Sequence, residues 1–256
     1  MILIENKAVR GIPVLHLAKK SLFDDRLPFV MFMHGFTSAK ENNLHYAYLL
    51  AEKGFRVVMP EAMYHGERQG NISKEKLTIH FWDIVLQSID ELDILRQYYL
   101  ENNLIDMDRI GLVGTSMGGI VTLGSLTRYK WIKAAVSLMG MPYYEKYALL
   151  QISEIKKRGI KLPLKEEEIQ ALLEKLKELD LSRQPEKLNQ RPLLFWHGKQ
   201  DPIVPFTYTY DFYEKIKPLY EEKPKKLHFI VDEKSGHKVS REGVLKTVEW
   251  FETYLS

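Results

Sequence analysis

The amino-acid sequence predicts an α/β fold, with a mostly parallel central sheet and helices on both faces. Apolar, strand-like runs alternate with amphipathic helical stretches along most of the 256 residues, and this alternation is typical of parallel sheets covered by helices. The runs at 29–33 and 134–139 are apolar without interruption, which fits strands buried on both faces. Another run ends at Val113 and leads directly into a glycine-rich turn and a helical pattern. We therefore expect one α/β domain over residues 1–256.

The positions of the strands and helices follow from the spacing of the apolar residues. Predicted strands cover residues 2–10, 12–17, 29–33, 55–59, 110–113, 134–139, 193–196 and 227–231, and predicted helices cover residues 42–53, 76–101, 117–129, 143–157, 165–179, 206–220 and 241–254. A turn near Gly11 separates the first two strands, so we expect them to form an antiparallel hairpin at the edge of the sheet.

The alternation breaks between residues 141 and 190, where two helical stretches joined at 159–163 occur without a strand. We interpret residues 141–190 as a helical cap insertion over the predicted functional site. Its apolar stripe would then line a substrate pocket together with Met141, Tyr143 and Tyr144. Two alternatives stay open: the insertion packs on the core, or it forms a dimer contact, so that a homo-oligomer through the cap is one option.

The composition excludes several functional classes. The formal net charge is +3, from 37 basic and 34 acidic residues, and this balance argues against nucleic acid and against an anionic membrane surface as partners. There are no cysteines, which excludes disulfides, a thiolate nucleophile and cysteine-bound metal. We expect no signal peptide and no membrane span, and a cytoplasmic location fits the lack of cysteine.

The stretch 114–119 reads Gly-Thr-Ser-Met-Gly-Gly. A strand that turns sharply into a helix, with a serine at the bend and glycines on both sides, is a nucleophile elbow. The positions of Gly114 and Gly118 approach each other closely in such a turn, so that a Cβ on either one would clash. We predict that Ser116 is the catalytic nucleophile. The five-residue pattern alone would also fit an ordinary tight turn.

A serine hydroxyl is a weak nucleophile and needs a base within hydrogen-bonding distance. His237 follows the last predicted strand and precedes the last helix, which places it at the same end of the sheet as Ser116. We predict that His237 is this base. The other histidines are interpreted as loop-shaping residues (His34, His65 and His197) or as packed or surface residues (His16, His45, His80 and His228).

The base needs an acidic group to orient it. Asp201 lies in a loop after the strand at 193–196, where prolines at 202 and 205 stiffen the chain. We predict that Asp201 is this acid. Asp232 also follows a strand and is the rival candidate, although it could instead be an exposed turn residue.

An oxyanion hole needs two backbone N–H donors. One prediction is the N–H of Met117, directly after the nucleophile. The other is the N–H of Phe36, in the His-Gly-Phe stretch at 34–36 that follows a buried strand. An ordinary strand-to-helix turn is the alternative interpretation of the stretch at 34–36.

Together these motifs resemble the α/β-hydrolase superfamily across essentially the whole chain. The order serine, aspartate, histidine is the one this fold uses. His-Gly-Phe-Thr-Ser-x-Lys at 34–40 and Tyr-His-Gly-Glu-Arg at 64–68 resemble, more narrowly, small bacterial carboxylesterases of the branch related to dienelactone hydrolases and prolyl oligopeptidases. The chain departs from dienelactone hydrolases in having a serine nucleophile. It departs from prolyl oligopeptidases in lacking a propeller domain, which speaks against large peptides as substrates.

This resemblance implies an α/β-hydrolase fold and a serine esterase that cleaves carboxylic esters, in particular short-chain acyl esters, through an acyl-enzyme. The expected partner is a small-molecule ester, and the chemistry requires no metal or organic cofactor. A thioesterase or a peptidase acting on small substrates would use the same residues. A module of the same fold that binds a ligand without catalysis is the alternative from another functional class.

Overall fold

A computed structural model describes residues 1–157, 159 and 164–256. In this part of the chain eight strands form one sheet, in the order β1-β2-β4-β3-β5-β6-β7-β8. Strands β1 and β2 form an antiparallel hairpin and β2 pairs with β4 antiparallel, whereas all other pairs are parallel. The strands are β1 (Ile2–Val9), β2 (Ile12–Lys19), β3 (Leu27–Met33), β4 (Arg56–Pro60), β5 (Ile105–Thr115), β6 (Ala134–Leu138), β7 (Leu193–Gly198) and β8 (Leu227–Asp232).

Helices cover both faces of the sheet, so the predicted mostly parallel α/β fold is confirmed. Helices α1 and α8 pack on one face, and α3 to α7 contribute to the apolar cluster on the other face. The helices are α1 (Leu44–Glu52), α2 (Lys74–Ile79), α3 (Phe81–Glu101), α4 (Met117–Arg128), α5 (Tyr144–Lys157), α6 (Glu166–Leu179), α7 (Phe206–Ile216) and α8 (Arg241–Leu255).

The uninterrupted apolar run in β3 is explained by its place inside the sheet. Successive side chains of a strand point to opposite faces. Phe29 and Met31 belong to the cluster beneath α3 and α4, whereas Val30 and Phe32 belong to the cluster beneath α1 and α8. All four side chains are fully buried. A strand with helices on both sides has no solvent-facing position for a polar side chain.

Two predicted helices end differently in the structure. The helix expected at 76–101 is divided at His80 into α2 and α3. His80 has ψ near 9° and interrupts the regular helix for a single residue. This break leaves the spacing of the apolar residues unchanged, so the apolar pattern does not reveal it. The helix expected at 206–220 ends at Ile216 and continues as a 3₁₀ turn. Pro218 follows two residues later and has no N–H for an α-helical hydrogen bond.

The segment predicted as a cap contains α5 and α6, which lie between β6 and β7. Buried side chains of both helices, including Tyr144 and Leu173, belong to the apolar cluster that also contains α3 and α4. The cap role stays a prediction. The predicted connection at 159–163 lies outside the described residues except for Gly159. Within the described ranges, no helix is both long enough and apolar enough to cross a membrane.

The packing of α8 on β5 yields a stability prediction. Phe251 is fully buried, and its ring atoms occupy the space in which a Cβ on Gly111 would lie, at 2.6 Å. Phe251→Ala should lower the free energy of unfolding by about 3–5 kcal/mol, because the neighbouring sheet cannot collapse into the cavity. Leu245→Ala, at a position of α8 that is 39% exposed, is the control and should change it by less than about 0.5 kcal/mol. Equal effects in urea unfolding would contradict this packing.

Candidate active site

Ser116 lies at the bend between β5 and α4. Strand β5 ends at Thr115 and helix α4 begins at Met117, so that Ser116 joins them with φ +55° and ψ −115°. A non-glycine residue in such a conformation costs on the order of 1–3 kcal/mol and persists only where its surroundings enforce it. The Ser116 N–H donates to the Leu138 carbonyl of β6 at 2.8 Å. The neighbouring strand therefore helps to hold the serine at the bend.

Two glycines make this bend sterically possible, as the sequence predicts. A Cβ on Gly114 would lie 2.2 Å from the carbonyl carbon of Gly118. A Cβ on Gly118 would lie 2.0 Å from the Met33 carbonyl oxygen of β3. Real Cβ atoms do not approach backbone atoms this closely. A side chain at Gly114 would force β5 and α4 apart, and one at Gly118 would force α4 and β3 apart.

The structure brings the three predicted catalytic residues into one hydrogen-bonded chain. His237 Nδ1 lies 2.7 Å from Asp201 Oδ2, and His237 Nε2 lies 2.8 Å from Ser116 Oγ. Because a carboxylate only accepts hydrogen bonds, Nδ1 carries the proton and Nε2 is free to accept the serine hydroxyl. This is the tautomer that a base for Ser116 requires.

Sheet topology accounts for this meeting of distant residues. Strands β7 and β8 pair in parallel, with Gly198 opposite Asp232, so that the loops carrying Asp201 and His237 leave the sheet side by side. A Cβ on Gly198 would lie 2.3 Å from the Gly236 carbonyl oxygen. The two loops therefore touch directly, and the carboxyl ends of the strands form the site, as expected for parallel sheets.

The Asp201 side chain is fully buried and fully hydrogen-bonded. Its Oδ1 accepts the N–H groups of Ile203 at 2.8 Å and Val204 at 3.0 Å. Burial alone would raise the pKa of this carboxyl, but hydrogen bonds from two imidazoles and two amides outweigh burial and hold the pKa well below its usual range. The charged carboxylate therefore stabilises the fold above its unfolded-state pKa of about 3.9, and this stabilisation is lost as the pH falls through the folded-state value.

His197 is a member of the site that the sequence interpretation missed. Its Nε2 lies 3.0 Å from the Val204 carbonyl oxygen, which makes Nε2 the protonated nitrogen, and 3.2 Å from Asp201 Oδ2. The imidazole is fully buried. It is thus a second donor to the carboxylate that orients His237. Its position four residues before Asp201, at the end of β7, was the available signal.

The rival acid, Asp232, has a different task. Its Oδ1 accepts the N–H groups of Lys234 at 3.2 Å and Ser235 at 2.9 Å. Such short-range bonds shape the turn after β8. Among the described residues it is Asp201, and not Asp232, that bonds His237.

The predicted oxyanion-hole donors lie beside Ser116. Met117 is the first residue of α4, so its N–H has no acceptor within the helix. Strand β3 pairs with β5, with Met33 opposite Gly114, and this register places the loop containing Phe36 against the bend. In the described part of the chain the Phe36 N–H has no hydrogen-bond partner. Both N–H groups are therefore available to an anion at the positive end of the α4 dipole.

None of the three predicted substrate-binding residues is part of the lining of the apolar cavity between α2, α3, α5 and α6. Met141 and Tyr144 are fully buried, and the Tyr144 hydroxyl donates to the Ile120 carbonyl of α4. Tyr143 packs against Tyr208, with ring centroids 6.2 Å apart. Other residues line the cavity described next, and contact of these three with a substrate stays a prediction.

An apolar cavity of about 410 Å³ lies between α2, α3, α5 and α6. Several contacts connect it to the site. Phe81, in its lining, packs edge-on against Phe36 with ring centroids 5.3 Å apart. Ile203, also in its lining, donates its N–H to Asp201. Its described lining further includes Trp82, Tyr147, Ile169 and Leu172. These two contacts place the cavity beside the loops that carry Phe36 and Asp201.

Comparisons with known proteins agree with this architecture. The chain is 57% identical over 255 residues to the Bacillus subtilis protein named "Putative esterase YitV", covering 100% of both chains. It is 36% identical to "Esterase YjfP" of Escherichia coli over 80% of this chain and 81% of that one.

Solved structures share the fold at low sequence identity. TT1662 from Thermus thermophilus superimposes with a TM-score of 0.77 at 21% identity, covering 100% of this chain and 99% of that chain. An acylaminoacyl peptidase from Pyrococcus horikoshii superimposes with a TM-score of 0.69 at 20% identity, covering 100% of this chain and 42% of that one.

A family model for prolyl oligopeptidases matches residues 87–256. This range holds the bend at Ser116 as well as Asp201 and His237. The resemblance predicted from the motifs is thus confirmed by the family match and by the two bacterial relatives. The chain belongs to the prolyl oligopeptidase family.

Proposed function

We propose that this protein hydrolyses carboxylic esters through a covalent acyl-enzyme on Ser116. It is an esterase-type hydrolase, since relatives at 57% and 36% identity carry esterase names. The observation that carries the proposal is the position of His237, whose two ring nitrogens bond Ser116 Oγ at 2.8 Å and Asp201 Oδ2 at 2.7 Å. A ligand-binding module would have no need of this aligned hydrogen-bonded chain.

In the acylation step, Ser116 Oγ attacks the ester carbonyl carbon while His237 Nε2 takes the hydroxyl proton. Asp201 stabilises the imidazolium that forms, and its hydrogen bonds from Ile203 and Val204 keep it ionised for this task. The carbonyl oxygen becomes an oxyanion, which the N–H groups of Phe36 and Met117 bind. Collapse of this intermediate breaks the ester C–O bond, and His237 returns the proton to the leaving alcohol.

Deacylation repeats the same chemistry with water. His237 removes a proton from a water molecule as that molecule attacks the acyl-enzyme, the same two N–H groups hold the second oxyanion, and Ser116 leaves with the proton. These steps need no metal ion or organic cofactor. Thioesters and small amides could enter by the same route, so kcat/KM on matched esters, thioesters and amides ranks the three substrate classes.

The apolar cavity is the proposed site of the acyl chain. Its volume of about 410 Å³ falls within the range of about 300–1,000 Å³ that is usual for small-molecule sites. Short-chain acyl esters are the expected substrates, and this volume leaves room for chains longer than acetyl. On this proposal α5 and α6 act as the cap that supplies part of the lining. A cytoplasmic location and a homo-oligomer formed through the cap remain predictions.

The assignment of the acid is tested by a matched pair of variants. Asp201→Asn should lower kcat for a p-nitrophenyl ester by about 10⁴-fold, because the amide favours the wrong histidine tautomer. Asp232→Asn should stay close to wild type. A large loss in Asp232→Asn, with Asp201→Asn active, would transfer the role of the acid to Asp232.

Filling the cavity should change chain-length preference. Leu172, on α6, lines the cavity, so Leu172→Trp should lower kcat/KM for a p-nitrophenyl octanoate by about 10-fold or more, as expected when a chain loses its apolar pocket. Acetate hydrolysis should change by less than about 2-fold, because an acetyl group does not reach the pocket. Leu149→Trp, at a position of α5 that is 48% exposed, is the control. Unchanged octanoate kinetics in Leu172→Trp would place the acyl chain elsewhere.

A further inference from the structure

Two loops meet beside Ser116. The first, residues 34–40, follows β3 and carries the Phe36 N–H; we call it the oxyanion loop. The second, residues 61–68, follows β4 and contains the Tyr-His-Gly-Glu-Arg stretch; we call it the strap loop. The mechanism above gives the strap loop no task. Nevertheless the two loops are joined by three hydrogen bonds from backbone N–H groups of one loop to side chains of the other. The donors and acceptors are Thr37 and His65 Nε2, Lys40 and Glu61 Oε1, and Ala62 and His34 Nε2.

The oxyanion loop contains a strained tight turn. The Ser38 N–H donates to the Gly35 carbonyl at 3.2 Å, which closes a turn around Phe36 and Thr37. Thr37 has φ +60°, in the left-handed region that a β-branched residue rarely adopts. This conformation is strained, so a specific partner must hold the peptide unit between Phe36 and Thr37 in place.

His65 is that partner. Its Nδ1 lies 2.9 Å from the Met63 carbonyl oxygen, and because a carbonyl only accepts, Nδ1 carries the proton. The unprotonated Nε2 then accepts the Thr37 N–H at 2.9 Å. His65 is 3% exposed, and burial lowers the pKa of its imidazole. The ring is therefore neutral at neutral pH, and an imidazolium could not accept this bond.

Ion pairs of the buried Lys40 side chain fix the strap loop to the oxyanion loop. Lys40 and Glu61 are both fully buried and lie 3.1 Å apart, and Lys40 also bonds Glu41 and Glu67. Burial alone would lower the pKa of Lys40, but its bonds to three carboxylates outweigh burial and raise it. A Cβ on Gly66 would lie 2.0 Å from Glu61 Oε2, so the backbone at Gly66 packs directly against the Glu61 carboxylate.

A second anchor ties the strap loop to α3. Arg68 donates two hydrogen bonds of 2.8 Å to the Glu91 carboxylate and a third, of 2.9 Å, to the Glu61 carbonyl oxygen. Paired bonds of this kind fix orientation as well as distance. The imidazole of His65 is thus presented to Thr37 from a rigid support.

We propose that His65 is a positioning residue of the oxyanion hole: its Nε2 holds the Thr37 N–H, and thereby keeps the Phe36 N–H aimed at the oxyanion on the carbonyl attacked by Ser116. This inference rests on the proposed esterase function. Without an acceptor, the peptide between Phe36 and Thr37 rotates to relieve the strain at Thr37. The turn that the Ser38 N–H and the Gly35 carbonyl close then relaxes. The Phe36 N–H belongs to the preceding peptide unit of the same turn and shifts away from the oxyanion with it, while the apolar cavity stays intact.

The test uses two substitutions that separate the two bonds of His65. The asparagine amide reaches the position of Nδ1 and can still donate to Met63, but it offers Thr37 no acceptor. The glutamine amide reaches the position of Nε2 and can accept the Thr37 N–H. His65→Asn should lower kcat for a p-nitrophenyl ester by about 10- to 100-fold, since losing one oxyanion donor outright costs about 10²–10³-fold. KM should change by less than about 3-fold.

His65→Gln should recover kcat to within about 5-fold of wild type, because it restores the acceptor that Thr37 needs. A trifluoromethyl ketone, which forms an oxyanion on Ser116, should bind His65→Asn more weakly by the factor that kcat/KM loses. His45→Asn, at an exposed position on α1, is the control and should match wild type. Melting temperatures establish that each variant is folded; should His65→Asn not fold, His65→Leu replaces it in the same comparison.

Three results would overturn the proposal. The first is wild-type kcat in the acceptor-free variant. The second is a loss that His65→Gln shares equally. The third is a loss that appears in KM with kcat unchanged. In all three the wild type still hydrolyses the ester, so the proposed function stands. A wild type that neither hydrolyses esters nor binds the ketone would instead overturn the proposed function, and this inference with it.

Discussion

The left-handed backbone of Ser116 is the constraint on which the rest of the site depends. Its φ of +55° persists because β5, α4 and β3 meet there without space for a side chain: Gly118 lies directly against the Met33 carbonyl. This close contact between α4 and β3 also brings the loop after β3 beside Ser116. The first N–H groups of α4 lie next to Ser116 as well, because α4 begins at the following residue. One strained residue therefore brings together the proposed nucleophile, the N-terminus of α4 and the loop that carries Phe36, and the tight packing around it maintains the strain.

Three of the histidines each form a different hydrogen bond in the candidate site. His237 faces Ser116, whereas His197 and His65 each bond another part of the machinery. His197 supports the carboxylate of Asp201, and His65 supports the turn at Thr37. Hydrogen bonds to neighbouring carbonyl groups fix the tautomers of the two supporting rings. In the proposed mechanism, preorganised support of this kind would let the site stabilise developing charge without rearrangement at the moment of reaction.

Most of the fold and the central chain of hydrogen bonds could be predicted from the sequence. Apolar periodicity located the strands, and the rule that sites form at the carboxyl ends of parallel strands selected His237 and Asp201. The supporting roles of His197 and His65 could not be predicted, because a histidine before a glycine looks the same whether it shapes a turn or bonds a neighbouring loop. Nor could the burial of Tyr144 be foreseen, since an amphipathic helix reveals its apolar face but not whether core or ligand covers that face.

Covalent labelling tests most directly whether Ser116 is the nucleophile. The protein would be treated with a fluorophosphonate, which reacts with serine activated by a histidine base, and its intact mass and peptide map would be recorded. We predict one phosphonyl group per chain on the peptide that contains Ser116, and no label on Ser116→Ala. Labelling of another residue, or equal labelling of wild type and Ser116→Ala, would contradict the account.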